Sequence, residues 1–90
     1  MNLPAVITEF LGTFIFLYVI VATGNPWAIG GTLAVLIYLG GAISGGHFNP
    51  AVTIMKLYSK SVSSSTALMY ISAQIVAGLL AFFAYKKIMS

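Results

Sequence analysis

Cysteine and arginine are absent from this 90-residue chain, and Glu9 is its sole acid. Without cysteine there is no disulfide framework, no thiol nucleophile and no cysteine-type metal site. Formal charge is confined to Glu9 and four lysines (Lys56, Lys60, Lys86 and Lys87), 6% of the residues, against about one quarter in a soluble domain. The net charge of +3 comes from two separated lysine pairs and builds no stripe for nucleic acid. With His47 as the single histidine, a dedicated metal site is not expected. No nucleophile, base and acid are grouped along the chain, so neither an enzyme nor a cofactor is implied. The first apolar run contains Glu9 and has no basic segment ahead of it, which argues against a cleaved leader.

What is present is apolar: 60% of the residues are hydrophobic. Three runs are long enough to cross a bilayer, at about 4–22, 27–43 and 67–85. Pro4 suits the start of the first and Gly24-Asn25-Pro26 its end, with Asn25-Pro26 read as only a turn between spans. Trp27 anchors the second run at an interface. Ser63-Ser64-Ser65-Thr66 forms an N-cap cluster before the third. Lys86 and Lys87 are expected to stop that helix at the headgroups, with Tyr70 and Tyr85 in the aromatic belts. The predicted fold is an all-α integral membrane protein with three transmembrane helices and one re-entrant half-helix.

The half-helix is inferred from residues 44–58. Ser44-Gly45-Gly46-His47-Phe48 is a polar, glycine-rich break, and Asn49 to Tyr58 is an apolar stretch too short to span. Ten helical residues cover about 15 Å, half of a roughly 30 Å hydrocarbon core. A loop reaching the midplane and a half-helix climbing back therefore fit; a surface loop with an interfacial helix is the alternative. Irregular backbone at membrane depth is tolerated where it lines a cavity. Asn49 is a preferred N-cap, and Pro50 at the first helical position loses no needed N–H. Capping consumes the Asn49 oxygen and leaves its amide NH₂ as a donor beside the positive end of the helix dipole. Gly45, Gly46 and His47 would add a ladder of carbonyl acceptors.

The stretch Ser44-Gly45-Gly46-His47-Phe48-Asn49-Pro50-Ala51-Val52-Thr53 resembles the first Asn-Pro-Ala loop of the aquaporin (major intrinsic protein) family. Glu9-Phe10-Leu11-Gly12-Thr13-Phe14 resembles the start of that family's first helix, and Ala73-Gln74-Ile75-Val76-Ala77-Gly78 its third helix. The resemblance covers essentially the whole chain in the family's order. It implies a channel for water or small neutral solutes, with Asn49, Pro50 and Ala51 at the pore centre and carbonyls of Gly45, Gly46 and His47 lining one vestibule. It further implies that Glu9 and Gln74 are buried supports of the loop and that His47 flanks the pore; read from the residue itself, His47 is a loop brace whose carbonyl faces the pore. The glycines at 30, 31, 40 and 41 are read as helix-packing residues.

Two departures from the family pattern carry consequences. Family members hold two such repeats, inverted in one polypeptide, whereas this sequence holds one. The filter positions correspond to Ile29 and Val52, so the filter would be apolar and lack the family's arginine. Partners expected are the lipid membrane, a solute, and either an inverted second copy or a complementary half-channel. With a cytoplasmic N-terminus, Lys56 and Lys60 oppose Lys86 and Lys87 across the membrane, a two-against-two balance with almost no orientation preference. The competing reading is a non-conducting half that assembles with another chain of this type.

Overall fold

The computed structural model describes residues 2–89, which fold into four helices without a strand among the described residues. Helix α1 spans Leu3–Thr23, α2 Pro26–Ser44, α3 Pro50–Tyr58 and α4 Ser64–Met89. At about 1.5 Å per residue, α1 and α2 match a bilayer core, α4 exceeds it, and the nine-residue α3 reaches less than halfway. The three long helices are apolar enough to cross a membrane, and the chain is an integral membrane protein.

Each start has a stated chemical cause. Asn2 Oδ1 accepts from Ala5 N at 3.1 Å, and Asn25 Oδ1 accepts from Trp27 N and Ala28 N at 2.9 and 3.0 Å. Asn25-Pro26 is therefore more than the turn expected from sequence. It is the capped start of a spanning helix, with the same Asn-cap and Pro-first chemistry as Asn49-Pro50. Gly24 (φ 57°) and Gly45 (φ 93°) terminate α1 and α2 in the left-handed conformation, each returning its N–H to the carbonyl four residues back. Helix α4 begins inside the serine cluster, where Ser63 Oγ accepts from Thr66 N at 3.2 Å. It also continues through Lys86 and Lys87 to Met89. Those lysines do not end the helix, because their long stems can carry the ammonium groups to water from within it.

Helix α1 is the hub, packed on α2 and on α4, while α3 packs on α4. Helices α1 and α4 run parallel, so Glu9 meets Gln74, Leu17 meets Gly78 and Tyr18 meets Tyr85 in ascending order. Helix α2 runs back along α1, bringing Gly40 beside Thr8. The buried apolar residues are mostly small (Ala5, Ala67, Ala77 and Ala81), whereas Leu11, Val35, Leu39, Leu68 and Phe83 point outward. That distribution suits lipid as the solvent: small residues let helices approach, and large apolar side chains lose nothing by facing acyl chains.

Phe48 and Tyr70 are the exceptions, and Phe48 is the more deeply buried at 1% exposed. Its ring lies against Gly12 on α1 and Gly40 on α2, where an added Cβ at Gly12 would overlap the ring and one at Gly40 would come within 3.2 Å of it. Of the four α2 glycines read as packing residues, Gly40 alone has that role here. A Cβ added at Gly30, Gly31 or Gly41 would meet nothing within 4 Å, so those positions face open space in this chain. Gly12→Ala is expected to displace Phe48 and destabilise the fold by about 1–3 kcal/mol. Thermal unfolding in detergent, followed by circular dichroism, checks this; the penalty should shrink in a Phe48→Leu background.

Candidate functional site

Loop 45–49 turns on three left-handed residues: Gly45 (φ 93°), Gly46 (φ 66°) and Phe48 (φ 53°). Glycine adopts this conformation freely, but a phenylalanine there is strained and must be held by its surroundings. The Gly12–Gly40 cradle holds the ring, and hydrogen bonds hold the backbone. Gly46 N donates to Ser44 Oγ at 3.1 Å, His47 N to Glu9 Oε2 at 3.0 Å, and Phe48 N to Glu9 Oε1 at 2.7 Å. All three N–H groups thus turn toward the helix bundle.

Glu9 is fully buried. Besides those two amides, its carboxylate accepts from Ser44 Oγ at 2.7 Å and Gln74 Nε2 at 2.9 Å. Each carboxylate oxygen therefore carries two hydrogen bonds, the satisfaction that an acid away from water requires. A second layer continues from Gln74. Its Nε2 also donates to Thr53 Oγ1 at 2.9 Å, and Thr53 Oγ1 lies 2.8 Å from His47 Nδ1. The His47 ring packs edge-on against Tyr70, 5.1 Å between centroids, and Tyr70 donates its hydroxyl to Ser44 O at 2.7 Å. Tyr70 is consequently a buried clasp on the end of α2. It was expected in an aromatic belt because its position near the start of α4 suits one, and the partner that draws it inward lies 26 residues away.

With the N–H groups of Gly46, His47 and Phe48 turned inward, the carbonyls of Gly45, Gly46 and His47 that share those peptide planes have no hydrogen-bond donor among the described residues. Asn49 is exposed, and its Oδ1 accepts from Ala51 N at 2.8 Å, so the side-chain NH₂ is left to point away from the cap. Ala51 is exposed, and Pro50, Val52 and Ile29 are partly covered. Gly45 is exposed, whereas Gly46 and His47 are buried with Glu9 and Gln74. The His47 imidazole faces Thr53 and Tyr70, which leaves its carbonyl as the group free of the bundle. No group of three or more metal-ligating side chains occurs among the described residues.

The structure gathers Glu9, Ser44, His47 and Thr53 into one hydrogen-bonded cluster with Gln74. Their bonds are spent on backbone and on one another, which suits support and not acid–base chemistry. The supporting roles of Ser44, Thr53 and Tyr70 escaped the sequence reading. The available signal was that a polar side chain at membrane depth must find a partner, and Ser44 and Thr53 flank the loop symmetrically. Glu9→Ala strands the His47 and Phe48 N–H groups, each at about 1–3 kcal/mol. A loss of about 2–5 kcal/mol in detergent unfolding is expected, with Glu9→Gln milder because its amide oxygen still accepts.

Comparison with known proteins bears on this arrangement. The sequence matches the major intrinsic protein family over residues 1–90. Relatives include a probable aquaporin PIP2-6 of Oryza sativa subsp. japonica, 39% identical over 94% of this chain and 37% of the relative. A probable aquaporin PIP2-8 of Arabidopsis thaliana is 41% identical over 78% of this chain and 31% of its own length. Aquaporin PIP2-7 of Arabidopsis thaliana is 42% identical over the same shares. No solved structure matches significantly. The chain spans about one third of the length of these relatives. With the family pattern matched along the full sequence, and a half-helix held behind its Asn-Pro-Ala tip by a buried glutamate, the chain belongs to the major intrinsic protein family.

Proposed function

We propose that this chain forms half of a passive channel for water or small neutral solutes, and that two copies related by a two-fold axis in the membrane plane complete one pore. The observation that carries the reading is the division of the loop's polar groups. Its N–H groups are bound inside by Glu9 and Ser44, while the carbonyls of Gly45, Gly46 and His47 find no donor in the described residues. Backbone carbonyls at membrane depth need donors from somewhere, and a file of small hydroxylic molecules supplies them. Asn49 adds the complementary donor where the file reaches the tip of α3. The partial positive charge at that helix end disfavours cations. Glu9, its oxygens occupied by four donors, does not enter the path.

The relatives named as aquaporins support the channel class. One copy brings a single half-helix and cannot enclose a pore. An inverted pair forms a closed, isologous unit of the kind produced by inverted repeats in one chain. The two-against-two lysine balance allows insertion both ways round. With Ile29 and Val52 at the narrow positions and no arginine, the path is expected to pass solutes somewhat larger than water.

Osmotic shrinkage of liposomes holding the purified chain tests this directly. Water permeability well above that of empty vesicles is expected, with measurable glycerol entry. Asn49→Asp keeps the capping oxygen but exchanges the donor for a second acceptor, and should lower the rate by about tenfold. Rates equal to those of empty vesicles would exclude conduction. A carboxyl-terminal tag protected on one side only would exclude the inverted pair.

A further inference from the structure

The last turns of α4 leave an open groove of about 290 Å³ against α1, at the end of the bundle that carries Lys86 and Lys87. Phe14, Ile15, Tyr18 and Val19 line it with Ala84 and Ile88, so it is apolar apart from the Tyr18 hydroxyl. The Phe14 and Tyr18 rings stack at 6.2 Å, and Tyr18 meets Tyr85 edge-on at 6.0 Å. Helix α1 ends at Thr23, which sets Val19 about 6 Å and Phe14 about 13.5 Å below that end. The groove thus lies within one leaflet, whose hydrocarbon is about 15 Å deep.

Its rim is basic. By helical register Lys87 shares a face with Ala84 and neighbours Ile88. Lys86 takes another face, where its Nζ lies 6.0 Å from the centre of the Phe82 ring. Two ammonium groups outweigh the roughly half negative charge at a helix C-terminus. The one acidic side chain of the sequence, Glu9, is buried and bound to Gln74. That contact is thirteen residues before Lys87, about 20 Å along α4.

We propose that this groove seats an anionic phospholipid, with an acyl chain against Phe14, Tyr18 and Ala84 and the phosphate on Lys87. The seat is formed by one copy of the chain and does not depend on how a pore is completed. Charge selects the occupant. A zwitterionic lipid fills the groove equally well but brings a cation to a rim that is already positive. A second copy of this chain brings lysines near both ends and no exposed acidic side chain, so it offers Lys87 no counter-charge. An ammonium has three N–H donors, so Lys87 can hold a phosphate together with a contact inside the chain. An acyl chain gains little by leaving bulk lipid for an apolar groove. Discrimination among lipids therefore comes from the headgroup, and the groove sets where that headgroup rests.

Thermal unfolding of the purified chain in detergent, followed by circular dichroism with added lipid, tests the seat. Dioleoyl phosphatidylglycerol should raise the midpoint by about 5 °C, and dioleoyl phosphatidylcholine or cholesterol by much less. Lys87→Gln should raise the phosphatidylglycerol concentration needed for half the shift about fivefold. Ile88→Glu, at an exposed position, should act at least as strongly by setting a carboxylate at the mouth. Ala84→Phe fills the groove, keeps both lysines and should also weaken the response. Lys56→Gln combined with Lys60→Gln removes more charge at the other end of α4 and should leave the response intact. An equal or larger shift with phosphatidylcholine or cholesterol would overturn the seat. So would a response that Lys87→Gln and Ile88→Glu leave unchanged, or an equal loss in the Lys56 and Lys60 variant.

Discussion

One carboxylate organises this molecule. Glu9 draws in two consecutive loop amides, the hydroxyl that ends α2 and the amide of Gln74, tying three of the four helices and the loop to one point. In lipid no water competes for those donors, and none would satisfy them if the acid were removed. The loop's shape follows from this. Once its N–H groups turn toward Glu9, peptide geometry sends the carbonyls the other way. The candidate pore surface is therefore the reverse side of a buried hydrogen-bond network.

Packing and polarity act together at Phe48. Its left-handed backbone puts the N–H on Glu9 and the ring between α1 and α2, where Gly12 and Gly40 provide the space. A side chain at Gly12 would therefore disturb both the helix contact and the loop. The second layer (Gln74, Thr53, His47 and Tyr70) links α3 and α4 to the same point, so the half-helix tip is set by bonds from several elements. A site held in this way can present donors and acceptors to a solute without reorganising for each one.

The surfaces left over are as informative as the core. Gly30, Gly31 and Gly41 have open space beside them, and the seam between α1 and α4 encloses two buried polar atoms, Thr13 Oγ1 and Gln74 Oε1, without a partner among the described residues. A chain stable in lipid gains little by hiding apolar side chains.

Much of the fold was legible because membrane length and backbone satisfaction leave few choices. Runs of about twenty apolar residues must be helices, and a ten-residue run after an Asn-Pro start must stop short. Asn49 as a cap and Gln74 as a mid-span residue needing a partner could be named from residue type, whereas Glu9 as a support of the loop came through the family resemblance. Asn25-Pro26 and Tyr70 could not be placed correctly. The same dipeptide caps a full span or a half span, and neither a tyrosine's partner nor a glycine's neighbour is written in local sequence. The sequence by itself determined the membrane class, the number of spans and the capped half-helix, since these depend on length, hydropathy and cap chemistry. Tertiary structure alone decided which way the loop faces and which polar atoms stay unmatched. Those depend on bonds such as Glu9 to Phe48 and Gln74 to Thr53, between residues 39 and 21 positions apart.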